Sequence, residues 1–246
     1  DLLERLKESI ATQKRFLADA AHQLKTPLAG LRMQADLAQR SGASEEDLKR
    51  SLQQIGRASV QATHTVNQLL ALARAEGGGA SLPQQQCNMV TMASEVLLDC
   101  FPRAADKGID LGYDGAEADA VGVMVKGNPT LLKEMVRNLV ENAIHYTPST
   151  PERPGVVTLR VLVDPYSKVL VLQVEDNGLG IAAAERELVF QPFYRALGTN
   201  VDGSGLGLPI VREIAQRHGA TVSVDAAQPG QTPPGACFTV RFGLPD

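Results

Sequence analysis

The chain has 246 residues, 43% of them hydrophobic and 21% charged, with a net charge of −4. That is the composition of a globular protein, with room for one large domain or two ordinary ones. No apolar run approaches the ~20 residues of a membrane span, and no long basic run offers itself to nucleic acid, so neither is expected.

Asp1 to Lys7 is a charged helical pattern and not a signal peptide. A chain that starts in mid-helix is expected to be part of something longer. Residues 1–75 hold two long helical patterns. The first seam passes through Gln13, Leu17, Ala21, Leu24, Leu28 and Leu31, the second through Leu48, Leu52, Ile55, Ser59, Ala62 and Val66. Between them Ser41-Gly42-Ala43-Ser44 stops one helix, and Ser44 can cap the next with Asp47 at its third position. This predicts an antiparallel helical hairpin. A lone hairpin has too little core and heptad seams want partners, so two copies are expected to form a four-helix bundle, a homodimer. In the first seam, Gln13 to Leu17 to Ala21 is two steps of four in a row. Such a stutter locally unwinds a coiled coil, and it falls just before His22. Pro27 follows, where proline costs a helix roughly 3 kcal/mol by removing a donor and clashing one turn back. It leaves the carbonyl of Gln23 without its helical donor. Stutter and proline together are expected to make a point where the helix can bend.

Gly77-Gly78-Gly79 is a flexible break, so the expected division is 1–76, a linker 77–81, and 82–246. Asn88 can cap a helix running to about residue 105. Short strands are expected near 108–113 and 121–126. Asn128-Pro129, a cap followed by proline at the first helical position, opens a helix to about residue 145. Residues 156–163 and 168–175 are β-rich and form a hairpin. A short helix is expected over about 182–189, a longer one over 205–217, and strands over 220–225 and 236–242. Helices with an antiparallel-rich sheet predict a two-layer α/β sandwich. Cys87, Cys100 and Cys237 are widely spaced with no paired motif, which suggests free thiols and a reducing compartment.

Three stretches in this second half carry chemistry. Asn138-Leu139-Val140-Glu141-Asn142 puts two carboxamides four apart, on one helix face. Carboxamide oxygens suit a hard cation such as Mg²⁺ and add no charge beside polyphosphate, although two surface asparagines are the plainer alternative. Asp176-Asn177-Gly178-Leu179-Gly180 directly follows a strand. A carboxylate there can accept a hydrogen bond from an exocyclic amine such as adenine's, and the glycines let backbone approach a ligand closely. An ordinary Asn-Gly turn is the alternative. Gly203-Ser204-Gly205-Leu206-Gly207 opens a helical pattern, where free N–H groups can hold phosphate. No strand leads into it and no Lys-Ser/Thr follows, so it is neither a Rossmann fingerprint nor a P-loop, and a flexible loop is the alternative. Between the last two, Phe190 to Arg195 and a polar run to Asn200 read as a lid with an aromatic hinge and one arginine for phosphate.

In this order and spacing the stretches resemble the N, G1, F and G2 boxes of the Bergerat-type ATPases, over residues 80–243. Within that superfamily, Phe16 to Leu28, with His22, Thr26 and Pro27, resembles the H-box of sensor histidine kinases, whose dimerisation hairpin corresponds to residues 1–75. The wording AHQLKTPLAGLRMQADLA is most similar to the sensor kinases of tricarboxylate-transport two-component systems. The resemblance implies that His22 takes the γ-phosphoryl group of Mg²⁺-ATP and passes it to an aspartate on a response regulator receiver domain. Without stimulus, the hairpin would help dephosphorylate that regulator, with Thr26 orienting water. Asn142 would hold Mg²⁺, with Asn138, His145 and Arg195 near the phosphates. Asp176 with Gly178 and Gly180 would read adenine, Tyr146 would cover the nucleotide, and Gly203, Gly205, Leu206 and Gly207 would cradle phosphate. The resemblance also implies the cytoplasmic portion of a bacterial inner-membrane sensor, attached through segments outside this chain.

His22 follows seam residue Ala21, so its ring is expected to project from the bundle into water, where a neutral imidazole nitrogen can attack ATP. His64 and His218 lie in no motif. Relatives often carry an acidic residue directly after the phospho-acceptor, and here it is Gln23. Glutamine can accept a hydrogen bond from imidazole but cannot take a proton. Two alternatives stand beside the kinase: a nucleotide-driven clamp ATPase that releases free phosphate, and a nucleotide-binding pseudokinase that transfers nothing.

Overall fold

The computed structural model describes residues 2–39, 44–76, 83–164, 166, 168–195 and 204–243. The chain divides into two compact units, Asp1–Ala71 and Leu72–Asp246. The first is built from two long helices, α1 (Leu2–Ala38) and α2 (Glu45–Glu76). The cap expected before α2 is present. Ser44 Oγ accepts the Asp47 N–H at 3.1 Å and donates to the Asp47 carboxylate at 2.6 Å. Those bonds hold the Asp47 carboxyl below the usual carboxylate range.

Burial corrects the expected seams. From Ala20 onward, the covered line of α1 is Ala20, Leu24, Pro27, Leu31, Gln34 and Ala38. On α2 it is Ser51, Ile55, Ala58, Ala62 and Thr65. Both lines alternate threes and fours without a slip. Ala21, expected on the seam, is exposed while Ala20 is buried; the side chains of Gln13 and Leu17, on which the expected stutter rests, lie outside the described ones. Two alanines in a row give a sequence reader no way to choose between them. Pro27 lies on the covered line, and α1 is helical through it. The larger seam residues form a neighbouring line that is open. Leu28 is 55% exposed and Leu52 63%, with Leu48 and Val66 also exposed, while Ser51 and Thr65 are buried.

The second unit is a two-layer α/β sandwich. It holds β1 (Gln85–Asn88), α3 (Met89–Asp106), β2 (Ile109–Gly115), β3 (Met124–Gly127) and α4 (Pro129–Tyr146). The chain continues through β4 (Gly155–Asp164), β5 (Val169–Asp176), α5 (Gly207–Arg217), β6 (Thr221–Ala226) and β7 (Ala236–Gly243). The main sheet has the order β2-β4-β5-β7-β6; β2 and β4 are parallel and the other pairs antiparallel. Asn88 and Asn128 cap α3 and α4 as expected, each accepting an N–H three residues on at 3.0 Å. The three helices pack on one face of the sheet. On the other face Arg160 of β4 bridges Asp114 of β2 at 3.0 Å and Glu175 of β5 at 2.6 Å.

Two expectations fail locally. Residues 182–189 form two separate 3-10 turns, Ala183–Glu185 and Leu188–Phe190, where a helix was expected. A segment this short nucleates a helix poorly, and Phe190 is drawn instead into the core against Phe238 at 6.3 Å between ring centroids. The strand β1, which pairs antiparallel with β3, was not expected at all. The three cysteines are free, as expected. Burial raises all three thiols, that of Cys100 to about 11, so none is poised as a nucleophile.

Candidate functional site

Strand alternation puts the central carboxylate where it is. In β5 the buried residues are Leu170, Leu172, Val174 and then Asp176. The period of two that sends three apolar side chains inward carries an acid with them. Asp176 is 5% exposed. Its Oδ1 accepts the N–H of Gly178 at 2.9 Å and of Ala236 at 3.3 Å. No hydrogen bond among the described residues falls on Oδ2. Burial pushes the carboxyl up to about 6 against the pull of those two N–H groups.

The loop after Asp176 is pinned by neighbours distant in sequence. A Cβ at Gly178 would stand 2.7 Å from the Tyr146 carbonyl and 2.9 Å from Asp176 Oδ1. The Gly178 carbonyl accepts the N–H of Gly235 at 3.2 Å. Gly180 approaches Pro234 and Gly235 as closely. These glycines admit the protein's own chain on the side where a Cβ would stand. The structure thus adds Gly235 and Ala236 to the site. Their signal is long-range pairing of β5 with β7, which no local motif shows.

Helix α4 runs past this loop and packs against both β5 and α5. Asn138 is 4% exposed, and its Nδ2 donates to the Glu134 carbonyl at 2.9 Å and to the Glu134 carboxylate at 3.1 Å. Glu134 was not singled out from the sequence; its place four residues before Asn138 was the available signal. Asn142, one turn further, is half-buried and makes no side-chain hydrogen bond among the described residues. At the end of the helix His145 meets Tyr146 edge-on at 5.0 Å. The Lys107 ammonium caps that end, donating to the carbonyls of Ile144 and His145 at 3.0 and 3.1 Å.

The glycine-rich stretch leads into α5. Phe193 donates its N–H to the Gly205 carbonyl at 2.8 Å, which closes a neck between the two ends of the segment. Phe193 has φ +63°, and a Cβ at Gly205 would come 2.8 Å from its backbone. Leu206 is fully buried and anchors the start of α5. Ile210 N–H is taken by the Leu206 carbonyl and Pro209 has none, so Gly207 and Leu208 carry the first-turn donors of the helix. Arg195 is exposed just beyond the neck. Gly203 lies outside the described residues, as does the linker 77–81. His22 and Gln23 lie in α1, and their side chains are outside the described ones; so is that of His64. Thr26 is exposed on α1. His218 is structural: Nδ1–H donates to the Ile214 carbonyl at 2.7 Å and Nε2 accepts the Asn128 N–H at 3.1 Å, which ties α5 to the cap of α4.

These residues fit a nucleotide. A buried carboxylate with one oxygen uncommitted suits a base amine, helix-start N–H groups suit phosphate, and a neutral carboxamide suits a hard cation. No cluster of three His, Cys, Asp or Glu able to hold a metal occurs among the described residues.

Comparison with known proteins agrees. Residues 127–246 match the family described as histidine kinase-, DNA gyrase B- and HSP90-like ATPase, and residues 12–78 the His Kinase A (phospho-acceptor) domain. The chain is 38% identical over 234 residues to the sensor protein kinase PmrB of Pseudomonas aeruginosa, covering 94% of this chain and 46% of that protein. It is 34% identical over 249 residues to the signal transduction histidine-protein kinase/phosphatase MprB of a Mycobacterium species, covering 98% of this chain and 45% of that protein. A solved structure of mycobacterial sensor histidine kinase MprB, 30% identical, covers 67% of this chain and all of its own, with a TM-score of 0.56. The histidine kinase ThkA, solved in complex with the response regulator TrrA, shares the fold over 97% of this chain and 64% of its own at 19% identity, with a TM-score of 0.73. The chain spans about half the length of the two relatives matched by sequence. Their names do not include the tricarboxylate-transport type, so that finer resemblance rests on the wording around His22 alone. Acceptor-helix unit and ATP-binding sandwich stand together in one chain, which belongs to the sensor histidine kinase family.

Proposed function

We propose that this chain transfers the γ-phosphoryl group of ATP to His22 and then to an aspartate of a response regulator receiver domain, and that it also assists the regulator's dephosphorylation. What carries the reading is Asp176: a buried carboxylate whose bonded oxygen is held by backbone and whose other oxygen is left for a base amine. The neutral His22 imidazole attacks the γ-phosphorus, a P–N bond forms, the bond to the ADP oxygen breaks, and the ring proton leaves to water. Such transfer needs positioning and charge neutralisation more than covalent help. Asp176 accepts from the adenine amine. Gly207 offers phosphate a helix-start N–H group, and Gly203, Gly205 and Leu206 form the rest of the phosphate cradle. Asn138 orients Glu134, Tyr146 covers the nucleotide, and His145 and Arg195 stand on the phosphate side. Asn142 would hold Mg²⁺, which neutralises phosphate charge when bound. Thr26, one turn beyond His22, orients a water that attacks the phospho-aspartate of the regulator, releasing free phosphate and the aspartate carboxylate.

The open line of Leu28, Leu48, Leu52 and Val66 supports a homodimer, since a second copy would cover it and complete four helices. The division into 1–76, linker 77–81 and 82–246 belongs to the same reading, as does a place on the cytoplasmic side of a membrane sensor. No helix among the described residues is long and apolar enough to cross a membrane. Stoichiometry tests the proposal. Incubated with Mg²⁺ and γ-labelled ATP, the chain should incorporate up to one label per protomer. Continuous release of free phosphate without incorporation would favour the clamp ATPase, and binding without either would favour the pseudokinase.

A further inference from the structure

Besides His145, α4 carries four charged residues, Lys133, Glu134, Arg137 and Glu141. Three of them bridge to α3: Lys133 to Glu95 at 3.2 Å, Arg137 to Asp99 at 2.6 Å and Glu141 to Arg103 at 3.6 Å. Glu134 does not. It is half-buried on the next row of the helix, and its only side-chain partner among the described residues is Asn138, four residues on. A carboxylate that could face water or a cation is turned to a neutral amide.

That contact has a chemical consequence. A carboxamide is asymmetric: its NH2 end donates and its oxygen accepts. Asn138 Nδ2 meets two acceptors, the Glu134 carbonyl at 2.9 Å and the Glu134 carboxylate at 3.1 Å. Turned over, the amide would set its oxygen against both. Glu134 therefore fixes which end of Asn138 faces it, and Oδ1 is the end that faces another way. Asn142, the next member of the row, is half-buried and makes no side-chain hydrogen bond among the described residues.

Beside a triphosphate the choice of end matters. An NH2 group donates to phosphate oxygens and repels a cation, whereas an amide oxygen is a ligand for a hard cation and repels phosphate. A carboxylate behind the NH2 also draws on its protons and leaves the amide oxygen more basic, as acidic groups behind metal ligands do.

We propose that Glu134 is a positioning residue, which holds the NH2 end of Asn138 so that the amide oxygen is offered to the Mg²⁺ of the bound nucleotide, directly or through one bound water. The proposal rests on the reading of α4 as the cation side of the nucleotide site. It makes Asn138 a partner of the cation and not of the phosphates, and it makes Glu134 the residue that decides this.

Calorimetric titration of the full chain with ATP, once with Mg²⁺ and once with EDTA, tests it without any activity readout. Wild type should bind ATP more tightly with Mg²⁺. Glu134→Ala should lose about tenfold in affinity with Mg²⁺, the effect of removing a carboxylate behind a metal ligand, and stay within about twofold of wild type with EDTA. Glu134→Gln should keep most of the Mg²⁺ effect, because its Oε1 can accept the same N–H. In an Asn138→Ala background, Glu134→Ala should cost nothing further, since it acts through that amide. Equal affinity of Glu134→Ala and wild type with Mg²⁺ would overturn the proposal. So would a loss of the same size with EDTA, which would mark a merely structural carboxylate. A loss in Glu134→Gln as large as in Glu134→Ala, or an undiminished loss in the Asn138→Ala background, would overturn it too. A wild type that binds ATP no more tightly with Mg²⁺ than with EDTA would instead overturn the reading of α4 as the cation side, and this proposal with it.

Discussion

Replacing Asp176 by Asn should stabilise the nucleotide-free protein and weaken its hold on ATP. The amide keeps Oδ1 as acceptor for the N–H groups of Gly178 and Ala236, removes the charge and puts an NH2 donor in place of Oδ2. Burial raises the carboxyl from 3.8 to about 6, so the folded state binds its proton more tightly than the unfolded chain does. Through this group, wild-type stability is lowest above pH 6 and recovers as pH falls towards 4. At about 1.4 kcal/mol per pH unit, the full penalty above pH 6 is about 3 kcal/mol, which is a ceiling for the gain in Asp176→Asn. For a domain of this size, a gain of 1 to 3 kcal/mol raises Tm by about 2 to 12 °C. Thermal unfolding at pH 8 and pH 4 without nucleotide measures it. The advantage should be present at pH 8 and mostly gone at pH 4. Calorimetry at pH 8 should show weaker ATP binding, since the amide nitrogen offers the base amine a donor where it needs an acceptor. In wild type, ATP affinity should fall as pH drops through 6. A variant less stable than wild type at pH 8, or one that binds ATP unchanged, would refute the account of this carboxylate.

Asn142→Asp should cut phosphorylation by about tenfold or more, because it sets a carboxylate beside polyphosphate and perturbs the cation; label incorporation at fixed ATP measures it. Thr26→Ala should spare autophosphorylation and slow loss of phosphate from a purified phospho-regulator by about tenfold, since a methyl cannot align water. Gln23→Ala should slow single-turnover transfer, whereas Gln23→Glu should change it little, if Gln23 only holds the imidazole tautomer. A base contributes about 10²–10⁴-fold, so a large acceleration in Gln23→Glu, with Gln23→Ala like wild type, would show that proton removal is the bottleneck.

What was legible in the sequence was whatever depends on near neighbours. The caps at Ser44, Asn88 and Asn128 follow from side chains that reach three residues on. That β5 is a strand was readable, but its opening run Val169-Leu170-Val171-Leu172 shows no alternation, so the inward turn of Asp176 was not. What stayed hidden depends on contacts across the chain. Nothing local to Gly178 announces that the Tyr146 carbonyl lies against it. Ala20 and Ala21 are alike as residues, and only packing decides which one is covered. Strand β1, Gln-Gln-Cys-Asn, has no apolar alternation to betray it and exists because β3 pairs with it.

The central claim is that the phosphoryl group of ATP comes to rest on His22. The most direct measurement is the chemical stability and location of label after incubation with γ-labelled ATP and Mg²⁺. Phosphohistidine survives alkali and is lost in acid, whereas phosphoserine and phosphothreonine survive acid. The expected result is alkali-stable, acid-labile label in wild type and none in His22→Gln, whose ATP affinity stays near wild type. Acid-labile label that persists in His22→Gln would contradict the claim.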